Sequence, residues 1–104
     1  MGKYVLTYHG GEEPTSAEEG ERVMQTWLDW FEELGDTVVD AGAPIARAAL
    51  VAADGAATEH GGPEQITGYS VIRAESLEEA IAVAKTCPQL AAKGSVEVGE
   101  AIDV

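Results

Sequence analysis

The stretch Ile66–Pro88, ITGYSVIRAESLEEAIAVAKTCP, holds a strand, a capped helix and a helix stop in direct succession. From Ile66 to Arg73, β-branched and aromatic residues follow one another with Gly68 and no proline, which is the composition of a strand. Ser76-Leu77-Glu78-Glu79 then forms a capping box. The Ser76 oxygen accepts from the N3 amide, and Glu79 reaches back to the Ser76 N–H. Leu77, Ala80, Ile81 and Ala84 fall at i, i+3, i+4 and i+7, a narrow apolar stripe of small and medium side chains. Lys85 suits the negative end of the helix dipole, and Pro88 forbids continuation. Every local signal agrees on one short helix lying on a sheet.

Upstream the same grammar recurs. Lys3–His9, KYVLTYH, reads as a strand with Tyr4, Leu6 and Tyr8 on one face and Val5, Thr7 and His9 on the other. Gly10-Gly11 breaks it, and Ser16-Ala17-Glu18-Glu19 is a second capping box that opens the longest helix. Val23, Met24, Trp27, Leu28, Trp30, Phe31 and Leu34 give that helix a wide apolar stripe, and Gly35 ends it. Thr37–Ala41 is a short strand closed by Gly42-Ala43-Pro44. Ala46–Ala53 and Ala56–Thr58 read as a hairpin on a two-residue Asp54-Gly55 turn. After Pro88, Gln89–Lys93 forms a further helical turn, and Ser95–Val98 with Glu100–Val104 makes a last strand.

The resulting order is a split β-α-β arrangement used twice, so the expected fold is an α+β, ferredoxin-like sandwich with a four-stranded antiparallel sheet. Two helices cover only one face of such a sheet. Either Tyr4, Leu6 and Tyr8 or the opposite set is then left as exposed apolar surface, and a two-fold homodimer through the sheet faces is the simplest closure.

Length and charge narrow the function classes. The 104 residues make a single domain, 1–104, long enough to bury roughly two thirds of the unfolded chain's surface without metals or disulfides. Six basic against nineteen acidic residues give a net charge of −13, which repels phosphate backbones and anionic membranes. Neither nucleic acid nor membrane is expected as a partner. The single Cys87 excludes an internal disulfide, and with no signal peptide or long apolar run the expected location is the cytoplasm.

KYVLTYHG, ELGDTVVDAGAP, GYSVIRAESLEEAIAVAKTCP and GSVEV together resemble the YCII-related proteins over nearly the whole chain. The resemblance implies a ferredoxin-like protomer, a dimeric α+β barrel joined through sheet faces, and a cleft between helix and sheet in each subunit. It also implies a histidine in the first helix with a nearby acid; these positions fall at Met24 and Cys87 here, and neither residue suits proton transfer.

That leaves His9, at the tip of the first strand, and Asp40, at the end of the second, as the candidate base and acid of a cofactor-free proton transfer. Tyr8, Met24, Trp27 and Tyr69 are the candidate ligand contacts, with Trp27 at the edge of the helix stripe. Two distant histidines and one cysteine make no metal site, and Gly10-Gly11 lacks the lysine and the spacing of a phosphate loop. Two readings follow: a cytoplasmic homodimer binding a small organic molecule between the first helix and the sheet, with no cofactor, or a non-catalytic accessory protein whose pocket is filled by Met24 and the tryptophans.

Overall fold

The computed structural model describes residues 1–102. It comprises β1 (Gly2–Gly10), α1 (Ala17–Leu34), a 3-10 turn at Gly35–Thr37, β2 (Val38–Pro44), β3 (Ala48–Val51), β4 (Ala57–His60), β5 (Ile66–Ala74), α2 (Leu77–Ala84), α3 (Pro88–Ala91) and β6 (Gly94–Glu100). The main sheet has the order β2-β5-β1-β6 with every neighbouring pair antiparallel, which is the expected split β-α-β sandwich. Expected strand residues Asp103 and Val104 lie outside the described residues.

The core forms on one face of this sheet. Tyr4, Leu6 and Tyr8 of β1 and Ile72 and Ala74 of β5 pack against Trp30 of α1, Ala80 and Ala84 of α2, and Cys87. Leu6 and Ile72 are fully enclosed, each contributing roughly 1.5–3 kcal/mol of transfer free energy. The other face, with Val5, Thr7 and His9 from β1 and Tyr69 and Val71 from β5, has no helix over it. The molecule is accordingly thin, 18 Å in its shortest dimension.

Both helices start as their sequences dictate, with one change of detail. Ser16 and Ser76 accept from the N–H groups of Glu19 and Glu79, each at 3.1 Å. The return half of each box is displaced: Glu79 takes the Glu75 N–H at 3.4 Å, and Glu19 takes the Thr15 hydroxyl at 2.8 Å. In α2 only the small members of the expected stripe are buried. Leu77 and Ile81 stay 40% and 38% exposed, because Ala80 and Ala84 face the sheet and leave the longer residues bordering an open groove beside Val96 and Val98 of β6.

Two turns differ from expectation. β2 runs on through Gly42 to Pro44 instead of stopping at Ala41, because register shifts around Asp40 and Ala43 let it bend along β5. The hairpin closes through three residues, Ala53-Asp54-Gly55: the Ala52 N–H reaches the Ala56 carbonyl at 2.8 Å, and Gly55 supplies the positive φ of +90°.

Candidate functional site

On the helix face, three elements converge on Tyr8. The alternation of β1 points its ring at α1, where it meets Trp27 edge to face with centroids 4.9 Å apart. Trp27 also contacts Trp30 at 5.8 Å and Phe31 at 5.9 Å, so one turn of α1 forms an aromatic wall over the end of β1. Trp30 is buried, and its indole N–H donates to the Thr86 hydroxyl at 2.8 Å. Trp27 is half-buried at the edge of the stripe, and Met24 lies one turn earlier, 61% exposed.

The floor is polar but neutral. The Tyr8 hydroxyl donates to Ser70 Oγ at 2.7 Å, and Ser70 Oγ donates onward to the Ala41 carbonyl at 2.7 Å, which ties β1, β5 and β2 together. Burial drives the Tyr8 phenol well above its ordinary range, and the adjacent Cys87 adds to the shift. The Cys87 thiol is itself pushed up to about 11 by burial. Both groups therefore stand as neutral hydrogen-bonding groups at neutral pH, and neither is an activated nucleophile.

His9 and Asp40 are not brought together. Asp40 is level with Val71, Val71 with Val5, and His9 lies four residues further along β1. At ~3.4 Å per residue and ~4.8 Å per strand, that puts them roughly 16 Å apart. Asp40 instead accepts the Gly42 N–H on Oδ1 at 2.8 Å and shapes the bend of β2. His9 lies on the open face, its Nδ1 3.1 Å from the Glu64 carbonyl. A carbonyl only accepts, so Nδ1 carries a proton, and Nε2 faces the Thr7 hydroxyl at 3.0 Å and Glu97 at 3.4 Å.

Tyr69 also lies on the open face, opposite Thr7, so the sheet separates it from Trp27. Of the ligand contacts expected from sequence, Tyr8 and Trp27 meet directly, Met24 borders them along α1, and Tyr69 does not join them. Ser70 and Thr86 are the polar residues that sequence reasoning passed over. The period-two alternation Gly68, Ser70, Ile72, Ala74 was the available signal for Ser70, since it places a lone hydroxyl on the buried face. Among the described residues no group of three His, Cys, Asp or Glu side chains is placed to hold a metal.

Comparison with known proteins bears on this geometry. The structure resembles 5-chloro-2-hydroxyhydroquinone dehydrochlorinase of Burkholderia phenoliruptrix, solved in complex with 2,5-dihydroxybenzoquinone, with a TM-score of 0.57 over 97% of this chain and 95% of that one. At 18% identity the likeness is one of fold. No curated protein matches by sequence. The YCII-related domain matches residues 3–104, spanning the sheet, both capped helices and every residue around Tyr8; the chain belongs to the YCII-related family.

Proposed function

We propose that this protein is a cytoplasmic homodimer, joined through the open faces of its sheets, that binds a small planar organic molecule between α1 and the sheet. The observation that carries the reading is the half-buried Trp27 standing edge-on over Tyr8, whose buried hydroxyl belongs to the Ser70–Ala41 chain. An aromatic wall above neutral hydroxyls suits a flat, uncharged ligand bearing hydroxyl or carbonyl groups. The net charge of −13 disfavours an anionic one. The dihydroxybenzoquinone held by the structural relative shares the flat, oxygenated frame but, as a vinylogous acid, is anionic at neutral pH, so neutral hydroquinone is the closer match to this site. The register supplies no His9–Asp40 pair for proton transfer, so binding is proposed and no reaction is assigned.

The second reading, an accessory protein with a filled pocket, draws on the same contact: at 4.9 Å the Tyr8 and Trp27 rings already touch. The two readings separate in an NMR titration of the labelled protein with 2,5-dihydroxybenzoquinone and with hydroquinone. Binding at this site gives saturable shifts of the Trp27 indole and the Ser70 amide, weakened about tenfold in Tyr8→Phe, which keeps the ring and removes the hydroxyl. No saturable shift with either probe up to millimolar concentration sinks the binding reading and leaves the packed one.

A further inference from the structure

The two edges of the main sheet are not alike. The strand order β2-β5-β1-β6 leaves β2 and β6 each paired on one side only. β2 is blunted: its register against β5 shifts around Asp40 and Ala43, and Pro44 closes it. β6 runs from Gly94 to Glu100 against β1 with no shift, and it carries neither proline nor lysine. An edge of that kind is a template for another strand.

Register identifies the backbone groups on this free edge. The Ala101 N–H bonds the Lys3 carbonyl, and the constant offset between β1 and β6 puts these two residues opposite each other. Bonding direction alternates along a strand, so Gly99, Glu97 and Ser95 also turn inward to β1, while Val96, Val98 and Glu100 turn their N–H and C=O groups outward. The side chains of Val96 and Val98 point to the helix face, since they stand opposite Tyr8 and Leu6 of the core. There they form one wall of a groove of about 420 Å³, with the partly exposed Leu77, Ile81 and Leu90 on the other. Free backbone groups and an apolar groove thus lie side by side. An added strand is held in that way, its main chain by the edge and its alternate side chains by the groove.

β6 itself supplies a strand that fits. Ile102 continues the Val96–Val98 row past the end of β6 and is 77% exposed. An isologous antiparallel pair of β6 strands has its two-fold axis normal to the sheet. Centred on Glu97 or on Glu100, the axis sets like carboxylates against each other. Centred on Val98, it sets Ile102 against Gly94. Centred on Gly99, it sets Ile102 against Val96 and Glu100 against Val98, with no like charges opposed. Glu100 of the partner subunit then enters a groove in which Lys85 is the only charged lining residue among those described. We propose that the β6 edge and its groove receive β6 of a second copy, antiparallel about Gly99, with Ile102 of each chain seated beside Val96 of the other. This contact extends the sheet in its own plane, leaves the open faces free and does not depend on a face-to-face dimer.

Hydrogen exchange followed by NMR on the full chain separates this contact from any other. The outward amides of Val96, Val98 and Glu100 have no ladder partner within the protomer, so edge pairing is expected to slow their exchange at least ~10-fold between about 10 µM and about 1 mM protein. Val71→Lys, which charges the open face, is expected to leave that effect unchanged. Val98→Pro removes an outward N–H that the protomer does not use, and Ile102→Asp charges a side chain that it does not bury. Each is expected to abolish the concentration dependence while circular dichroism shows a folded chain. Outward amides that still exchange as exposed amides at about 1 mM overturn the proposal, whatever the open faces do. Concentration-dependent protection that survives Ile102→Asp overturns the register about Gly99. Protection that is the same at every concentration overturns a second copy as the occupant.

Discussion

Asp40 and Gly42 hold the bend of β2. Gly42 has φ +79°, and a methyl group built on it would run into the Tyr69 carbonyl. Gly42→Ala is therefore expected to lose roughly 3 kcal/mol of stability in urea unfolding. Asp40→Ala removes the acceptor for the Gly42 N–H and is expected to lose about 1 kcal/mol, whereas Asp40→Asn keeps an acceptor oxygen and should be nearly neutral. Equal losses in both Asp40 variants would mean that charge, not the hydrogen bond, matters there. Cys87 and Tyr8 both shape the response to alkali. Burial lifts the Cys87 thiol from 9.0 to about 11, so above pH 9 the unfolded chain loses a proton that the folded chain keeps. Through Cys87 stability should then fall with rising pH between about 9 and about 11, by up to ~1.4 kcal/mol per unit, with the buried Tyr8 phenol steepening the fall above pH 10, and a Cys87→Ala chain should show a shallower fall. Chemical unfolding at several pH values in this window reads the slope directly.

Among the elements, those with strong local grammar were legible in the sequence. The two S-x-x-E starts, the Gly35 stop and the period-two pattern of β1 and β5 are local signals, and each corresponds to an element of the fold. Ser76→Ala should cost about 1 kcal/mol and Ser16→Ala a similar amount, since each removes the acceptor of a helix N–H. The site was less legible because it depends on which face each strand residue takes and on register between strands far apart in the chain. His9 and Asp40 both lie near strand ends, but the register between β2, β5 and β1 separates them, and no local pattern encodes that register. Gln89 was equally hidden. Its amide donates to the carbonyls of His9 at 3.0 Å and Gly10 at 2.9 Å, closing the end of β1 from a helix eighty positions away. The β3–β4 hairpin, by contrast, is a two-stranded ribbon of its own, with Leu50 and Val51 61% and 66% exposed. An isolated ribbon is only marginally stable. Its amides are expected to exchange with solvent at least ~100-fold faster than those of β1 in the monomeric chain, and protection equal to that of β1 would show that the ribbon is docked.

For the whole molecule, the thin two-layer build leaves an exposed sheet face of partly exposed Val5, Val71 and Tyr69 opposite a well-formed core. The helix side already encloses Leu6, Ile72 and Ser70, so the protomer folds around that layer, and the open face is surface available for association. Association through it makes apparent stability depend on concentration, because a second copy binds the folded chain and not the unfolded one. The melting temperature should rise by several degrees between about 1 and about 100 µM protein, as mass action requires. Val71→Lys places a charge at the centre of the open face without touching the Tyr8–Trp27 contact on the other side. It is expected to flatten the concentration dependence while leaving the far-ultraviolet circular dichroism and the edge-to-face ring-current shifts of Tyr8 and Trp27 intact. Loss of those ring shifts in Val71→Lys would mean that the two faces are coupled and that the aromatic site needs the dimer to form. Unchanged concentration dependence would place the dimer contact elsewhere, with the groove beside Leu77 and Ile81 the next surface to mutate.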